Sequence, residues 1–239
     1  MQLIQPNCRI QFTYADLDFI LEALKPGVDS KTSLERLLAD PETRDLILDD
    51  EKILQAVLEH RGCLKISPHF YFYILVRQVF RRSGLDDRIM ADYVAELLAE
   101  FSRTENTQLR IEGQARSFDY FCDMLGALQT VDDITRFYIR AHIGNTSLFL
   151  SGIFPDRIRH RAERRGAPGL SYYEEMGRSS FRAASDHRLA RHYELSRVFS
   201  TLADRFQETR VALNDLGERL VSLSDVDCSG FLRALDPEP

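Results

Sequence analysis

The sequence predicts an all-α protein, a compact multi-helix bundle of about ten helices with short connections, forming a single domain over residues 1–239. Helix start signals recur along the whole chain. Apolar residues follow those signals at intervals of three and four, which places them on one face of a helix. The strict alternation typical of strands is nearly absent, so we expect no sheet beyond a pair of short strands near 1–12 or 108–112.

Residue pairs that can cap a helix mark the starts of the first predicted helices: Thr13 with Asp16, Thr32 with Glu35, Asp40 with Pro41, and Ser67 with Pro68. The Asp40–Pro41 start opens a longer helix whose apolar set runs from Leu46 to Leu58. Residues 69–80, HFYFYILVRQVF, are apolar nearly all round, which predicts a central helix buried on most sides. The next helix begins at residues 86–87 and has apolar positions through Phe101.

The polar segment 102–116 lacks helical spacing, so it is the candidate for a linker or a boundary between subdomains. Helices then follow from about 117, from about 130 to Phe154, and through the basic stretch that ends at Gly166. Pro155 should break or kink the chain between the last two. Ser171 and Glu174 form a second capping-box pattern, which predicts a helix to about residue 185. Two more helices follow, and the tail 227–239 is expected to fray.

The charge is unevenly distributed along the chain. The formal net charge is −6, which argues against a general nucleic-acid binder. Residues 134–200 nevertheless carry 12 basic and 6 acidic side chains, whereas residues 1–102 carry 12 and 17 and residues 201–239 carry 4 and 8. A basic middle is therefore flanked by acidic ends, which favours an association that depends on charge.

The sequence also predicts a cytoplasmic protein that does not enter a membrane. Residues 1–12 lack the basic start and the apolar run of an export signal. The longest apolar stretches, 70–76 and 148–154, are far shorter than the roughly 20 residues of a membrane span. The four cysteines lie far apart in the sequence, which predicts reduced, mostly buried thiols and not a zinc site.

Small residues form a stripe on two of the predicted helices, Gly144, Ser147 and Ser151 on one and Gly177, Ser180 and Ala184 on the other. One interpretation is close packing of two helix backbones. The other is a pocket for a small ligand between helices 131–154 and 172–185, since pockets pair apolar walls with a few polar groups. The polar residues that we assign to this pocket are His142, Asn145, Ser151 and Arg178.

An arginine cluster occupies the basic stretch after Pro155. Arg157, Arg161, Arg164 and Arg165 share a broad face of the predicted helix. They could form a solvated face that pairs with nearby acids such as Glu163, or a site for a carboxylate, a phosphate or an acidic partner. Nucleic acid is not expected, because the stretch lacks the aromatic residues and the groove-reading helix of such proteins.

No motif identifies a catalytic residue. The chain contains no G-x-S-x-G, no P-loop and no G-x-G-x-x-G. None of the histidines has a carboxylate three residues before it, which excludes the Glu-x-x-His pattern of helical di-iron sites, so no metal and no cofactor are expected.

Two functions are compatible with these patterns. The first is a non-enzymatic interaction or regulatory protein, whose basic surface around 157–165 contacts an acidic protein or the acidic end of a second copy in a homodimer. The alternative is a small-molecule-binding or enzymatic helical domain that uses the pocket between helices 131–154 and 172–185.

Overall fold

The computed structural model describes residues 3–24, 34, 36–59, 66–102, 109–110, 117–118 and 121–223. Most of these residues are helical, and the predicted all-α class is confirmed. The Thr32–Glu35 capping box, most of the polar segment 102–116 and the tail 227–239 lie outside the described residues. Among the described helices, none combines the length and the apolar character needed to cross a membrane.

The elements follow one another along the chain with short connections. In order, they are a 3-10 helix η1 (Cys8–Gln11), α1 (Tyr14–Leu24), α2 (Pro41–Leu48), α3 (Glu51–Glu59), α4 (Pro68–Arg82), α5 (Arg88–Phe101), β1 (Leu109–Arg110), β2 (Ser117–Phe118), α6 (Phe121–Ala127), α7 (Asp133–Ile153), α8 (Pro155–Arg165), α9 (Leu170–Ser185), α10 (Arg188–His192), α11 (Ser196–Asp204) and α12 (Phe206–Leu223). The two-residue strands pair antiparallel, with Leu109 opposite Phe118.

The start of α4 shows how the predicted capping residues work. Ser67 caps the helix, because its Oγ accepts a hydrogen bond from the Phe70 N–H at 3.1 Å, and Pro68 occupies the first turn. Asp16, at the predicted start of α1, accepts from the Thr13 N–H at 2.6 Å and also from the Ser67 N–H at 2.6 Å. One buried carboxylate therefore holds the starts of α1 and α4 together.

Helix α4 is central, as its apolar sequence predicts. Its side chains Phe70, Tyr73 and Phe80 are fully buried. It packs against α5, α12, α3 and η1, so neighbours surround it on several sides. The most extensive contact between elements joins α7 to α9, and α9 in turn packs on α11.

Two helix boundaries differ from the sequence prediction. The predicted long helix after Pro41 divides into α2 and α3, because the Asp50 carboxylate caps a new helix by accepting from the Lys52 N–H at 2.8 Å. The predicted capping box at Ser171 is also wrong. Helix α9 already begins at Leu170, and Glu174 instead accepts a hydrogen bond from Arg210 on α12.

Candidate anion-binding site at helix α8

Helix α8 is a short basic helix with sharply defined ends. Pro155 occupies its first turn and follows Phe154, whose backbone (φ −125°, ψ 49°) separates α8 from α7. Gly166 ends it in the left-handed conformation (φ 61°), and the Gly166 N–H donates to the Ala162 carbonyl. Ile158 is buried and fixes the helix to the bundle, and most of the other side chains of α8 are exposed.

The arginines of α8 lie at the surface, as predicted. Arg161, Arg164 and Arg165 are exposed and Arg157 is half-buried. Arg159 pairs with Asp156, at 2.6 Å between Nη1 and Oδ1. Within the described ranges, no carboxylate forms an ion pair with Arg161, Arg164 or Arg165. This surface therefore carries an excess of positive charge.

A small cavity of about 90 Å³ lies where the end of α7, helix α8 and the start of α9 meet. Its apolar wall includes Leu150, Phe154 and Ile158. Arg157 and Arg161, which are four residues apart and so lie on the same side of α8, contribute its basic wall. A group that enters this cavity would meet apolar side chains and two arginines.

Tyr173 of α9 contributes a phenol to the same cavity. Burial raises the pKa of Tyr173, and the neighbouring Arg161 guanidinium offsets part of that effect. The phenol therefore stays neutral at physiological pH and keeps a proton that it can donate. Two guanidinium forks and a phenol next to apolar carbon suit a carboxylate or phosphate that is attached to an apolar group.

The residues predicted for a ligand pocket lie elsewhere, and none of them lines this cavity. His142, Asn145 and Ser151 are buried inside the bundle, whereas Arg178 is exposed. The Asn145 Oδ1 accepts from the Tyr93 hydroxyl at 2.7 Å. The Ser151 Oγ donates to the carbonyl of Ser147, one turn earlier, at 2.6 Å.

Aromatic rings fill the space beside the small-residue stripes. A Cβ added to Gly144 would lie 2.8 Å from ring atoms of Phe181, and one added to Gly177 would lie 2.3 Å from ring atoms of Phe206. The glycines and serines of these stripes are buried. At both glycines the absent side chain makes room for a phenylalanine of the same core.

Helix α12 approaches α7 close to the cavity. A Cβ on Gly217 would lie 2.8 Å from the carbonyl oxygen of Ile153, the last residue of α7. The Asn214 Nδ2 donates to the carbonyls of Ser151 and Gly152, at 2.9 and 2.6 Å. These contacts satisfy carbonyl groups at the C-terminal end of α7 and fix the point from which α8 departs.

Sequence reasoning missed one further cluster of polar side chains. His69 at the start of α4 and Glu96 and Glu100 on α5 place one ligand atom each within 4.8 Å of one another. A search for Glu-x-x-His on a single helix does not detect this arrangement, because its ligands come from two helices. The spacing of the two glutamates, four residues apart on a largely apolar helix, is the signal that was present in the sequence.

Comparison of the chain with protein-family models, with curated proteins and with solved structures finds no match. The assignment of a function therefore depends on the geometry of these sites.

Proposed function

We propose that this is a helical interaction protein that binds an acidic protein partner through α8. The observation that carries the proposal is the cavity between α7, α8 and α9, where Arg157, Arg161 and Tyr173 surround an apolar wall. A carboxylate of the partner pairs with the two guanidinium groups, and an adjacent apolar side chain enters the cavity.

The size of the cavity favours a side chain of a partner over a free metabolite. Its volume is about 90 Å³. Sites for drug-sized ligands commonly enclose about 300–1,000 Å³. A shallow basic cavity that takes a single side chain is more typical of a protein interface, where one anchor residue is surrounded by polar contacts.

Charge should contribute strongly to this association. The exposed Arg164 and Arg165 extend the basic surface beyond the cavity and attract an acidic partner before contact. Single exposed ion pairs contribute only about 0.2–1 kcal/mol, so the affinity should depend on several of them and should fall as salt is added. A second copy is one source of acidic groups, since residues 201–239 carry 8 acidic and 4 basic side chains.

The test replaces Arg157, Arg161 and Arg164 together with alanine. A matched control removes the same charge elsewhere, by replacing three exposed arginines on other helices, Arg82, Arg188 and Arg197. The binding of a fluorescein-labelled peptide of alternating glutamate and leucine is followed by anisotropy at low and high salt. Sedimentation of the unlabelled protein measures association between copies.

We expect the wild-type protein and the control to bind the peptide in a salt-dependent manner, and the α8 variant to lose at least tenfold in affinity. Equal binding by all three proteins would show that α8 is not part of the interface. A large drop in the melting temperature of the α8 variant alone would show that these arginines are structural, and the interaction proposal would then be withdrawn. Loss of sedimentation-detected dimers in the same variant would identify the partner as a second copy.

A further inference from the structure

We infer that α4 and α5 carry a binding site for a divalent transition-metal ion, formed by His69, Glu96 and Glu100. The site is separate from the α8 surface and uses different helices. The inference depends on the mutual distances of three ligand atoms, on their burial and on the side chains that hold them in place.

The distances suit a metal ion after a small contraction. The Nε2 of His69 lies 3.6 Å from the Oε2 of Glu96, and the three ligand atoms all lie within 4.8 Å of one another. In a tetrahedral zinc site with bonds of about 2.0–2.2 Å, two ligand atoms are about 3.4 Å apart. The His69–Glu96 pair is already close to that separation.

The fold brings the ligands together without relying on a flexible loop. Glu96 and Glu100 are one turn apart on α5, so both carboxylates lie on the same side of that helix. His69 is the second residue of α4 and follows the Ser67 cap, which fixes where the helix begins. The Cys8 thiol donates to the main-chain carbonyl of His69 at 3.2 Å, which holds this turn of α4 against η1.

Gln11 supports the Glu96 carboxylate. Its Nε2 donates to Glu96 Oε2 at 2.8 Å, the same oxygen that faces His69. An amide that donates to a ligating carboxylate orients it, and metal sites commonly contain such supporting partners. Arg9, from the same 3-10 helix, donates to Asp45 and to Asp92, which lies one turn before Glu96 on α5. The positive charge of Arg9 is therefore paired with those two carboxylates.

The burial of the cluster distinguishes it from an ordinary acidic surface. His69 and Glu96 are 7% and 4% exposed, and Glu100 is half-buried. Two carboxylates this close repel each other strongly when water is largely excluded. A divalent cation compensates both charges at once, while an imidazole and two carboxylates complete a donor set that suits Zn²⁺, Mn²⁺ or Fe²⁺. Three protein ligands also leave a coordination position for water.

The experiment uses the full chain, which is treated with a chelator to remove bound metal; the chelator is then removed. Co²⁺ is titrated and its visible d–d absorption recorded, since these bands report the coordination of the ion, and Zn²⁺ is then added as a competitor. The test variant is Glu100→Gln, at the half-buried position, which preserves shape and removes the ligand charge. The matched control is Glu163→Gln, which makes the same change beside His160 on the exposed surface of α8.

We expect one equivalent of Co²⁺ to bind, Zn²⁺ to displace it, and Glu100→Gln to weaken binding at least tenfold while Glu163→Gln has no effect. X-ray absorption of the zinc-loaded wild type should show nitrogen and oxygen ligands with an imidazole signature. Sulfur ligands would assign the metal to cysteines and overturn the proposal. Absence of Co²⁺ bands in the wild type, or unchanged binding by Glu100→Gln, would show that the three residues do not form the metal site and would overturn the proposal. Because the absorption measurement uses the wild type, the proposal remains testable if Glu100→Gln does not fold.

Discussion

Replacement of Gly177 by alanine should destabilise the protein, although alanine is the better helix former. Gly177 lies in the middle of α9, and an added Cβ would lie 2.3 Å from two ring carbons of Phe206 and 3.0 Å from the Cβ of Ser147. Carbon atoms in contact rest at about 3.5–4.0 Å, so the ring must move by more than about 1 Å. Phe206 is fully buried and packs near Phe181, with ring centroids 6.2 Å apart, so it has little room to move.

The magnitude follows from two opposing terms. Overpacking a core costs about 1–3 kcal/mol, and alanine recovers at most about 1 kcal/mol of helix propensity. Because an approach of 2.3 Å is far inside contact distance, the cost of overpacking should lie in the upper part of its range, about 2–3 kcal/mol. The free energy of unfolding of Gly177→Ala should therefore fall by about 1–2 kcal/mol, which corresponds to a melting temperature about 2–8 °C lower in a chain of this size. Urea unfolding followed by circular dichroism measures both the midpoint and the slope.

The control is the same substitution at Gly126, which is exposed in α6 and has no atom within 4 Å of an added Cβ. Gly126→Ala should leave stability unchanged or raise it by up to about 1 kcal/mol. Shortening the ring with Phe206→Leu should make Gly177→Ala less harmful in the double variant, because the two positions share one space. If Gly177→Ala is as stable as the wild type, or the two changes simply add, the packing argument fails.

Three further changes test the rest of the fold. Asp49→Asn should cost about 1–3 kcal/mol in chemical unfolding, because Asp49 accepts from the buried Arg77 and from Arg88, while Asp86 still pairs with Arg77 at 2.6 Å. Burial raises the pKa of Asp49, but hydrogen bonds from these two arginines outweigh it and hold that pKa below its ordinary value. Its contribution is therefore present above the unfolded pKa of about 3.9 and is lost as the pH falls through the folded value, so wild type and variant should converge below about pH 4. Ser67→Ala, which removes the α4 cap, should lower the free energy of unfolding by about 1–3 kcal/mol. Asn214→Ala should cost about 1–3 kcal/mol by leaving two α7 carbonyls without their amide donor, and an unchanged urea midpoint would show that water replaces it.

The local rules of helix formation were readable in the sequence. Ser67 and Pro68 predicted the start of α4, and the all-round apolar run after them predicted its burial. Pro155 and Gly166 correctly marked both ends of the basic helix. These features depend on residues within one or two turns of each other, so a linear pattern contains them.

Features that depend on distant residues were not readable. The prediction for Ser171 failed because Glu174 is used by Arg210, 36 residues away on α12, and not by the start of its own helix. His69 and Glu96 are 27 residues apart, and only the packing of α4 on α5 brings them together. The cavity beside Arg157 likewise needs the ends of three helices, whereas the sequence pattern pointed to the small residues at the middle of two.

The contacts of η1 also bear on the order in which the chain folds. The Arg9 N–H donates to the Asp92 carboxylate, 83 residues later, and Gln11 donates to Glu96, 85 residues later. At synthesis rates of about 5–20 residues per second, these partners emerge roughly 4–17 s after the segment that needs them. Residues 8–11 therefore stay accessible to chaperones and proteases during that interval. They are synthesised early, but they can be fixed in place only after α5 has been synthesised.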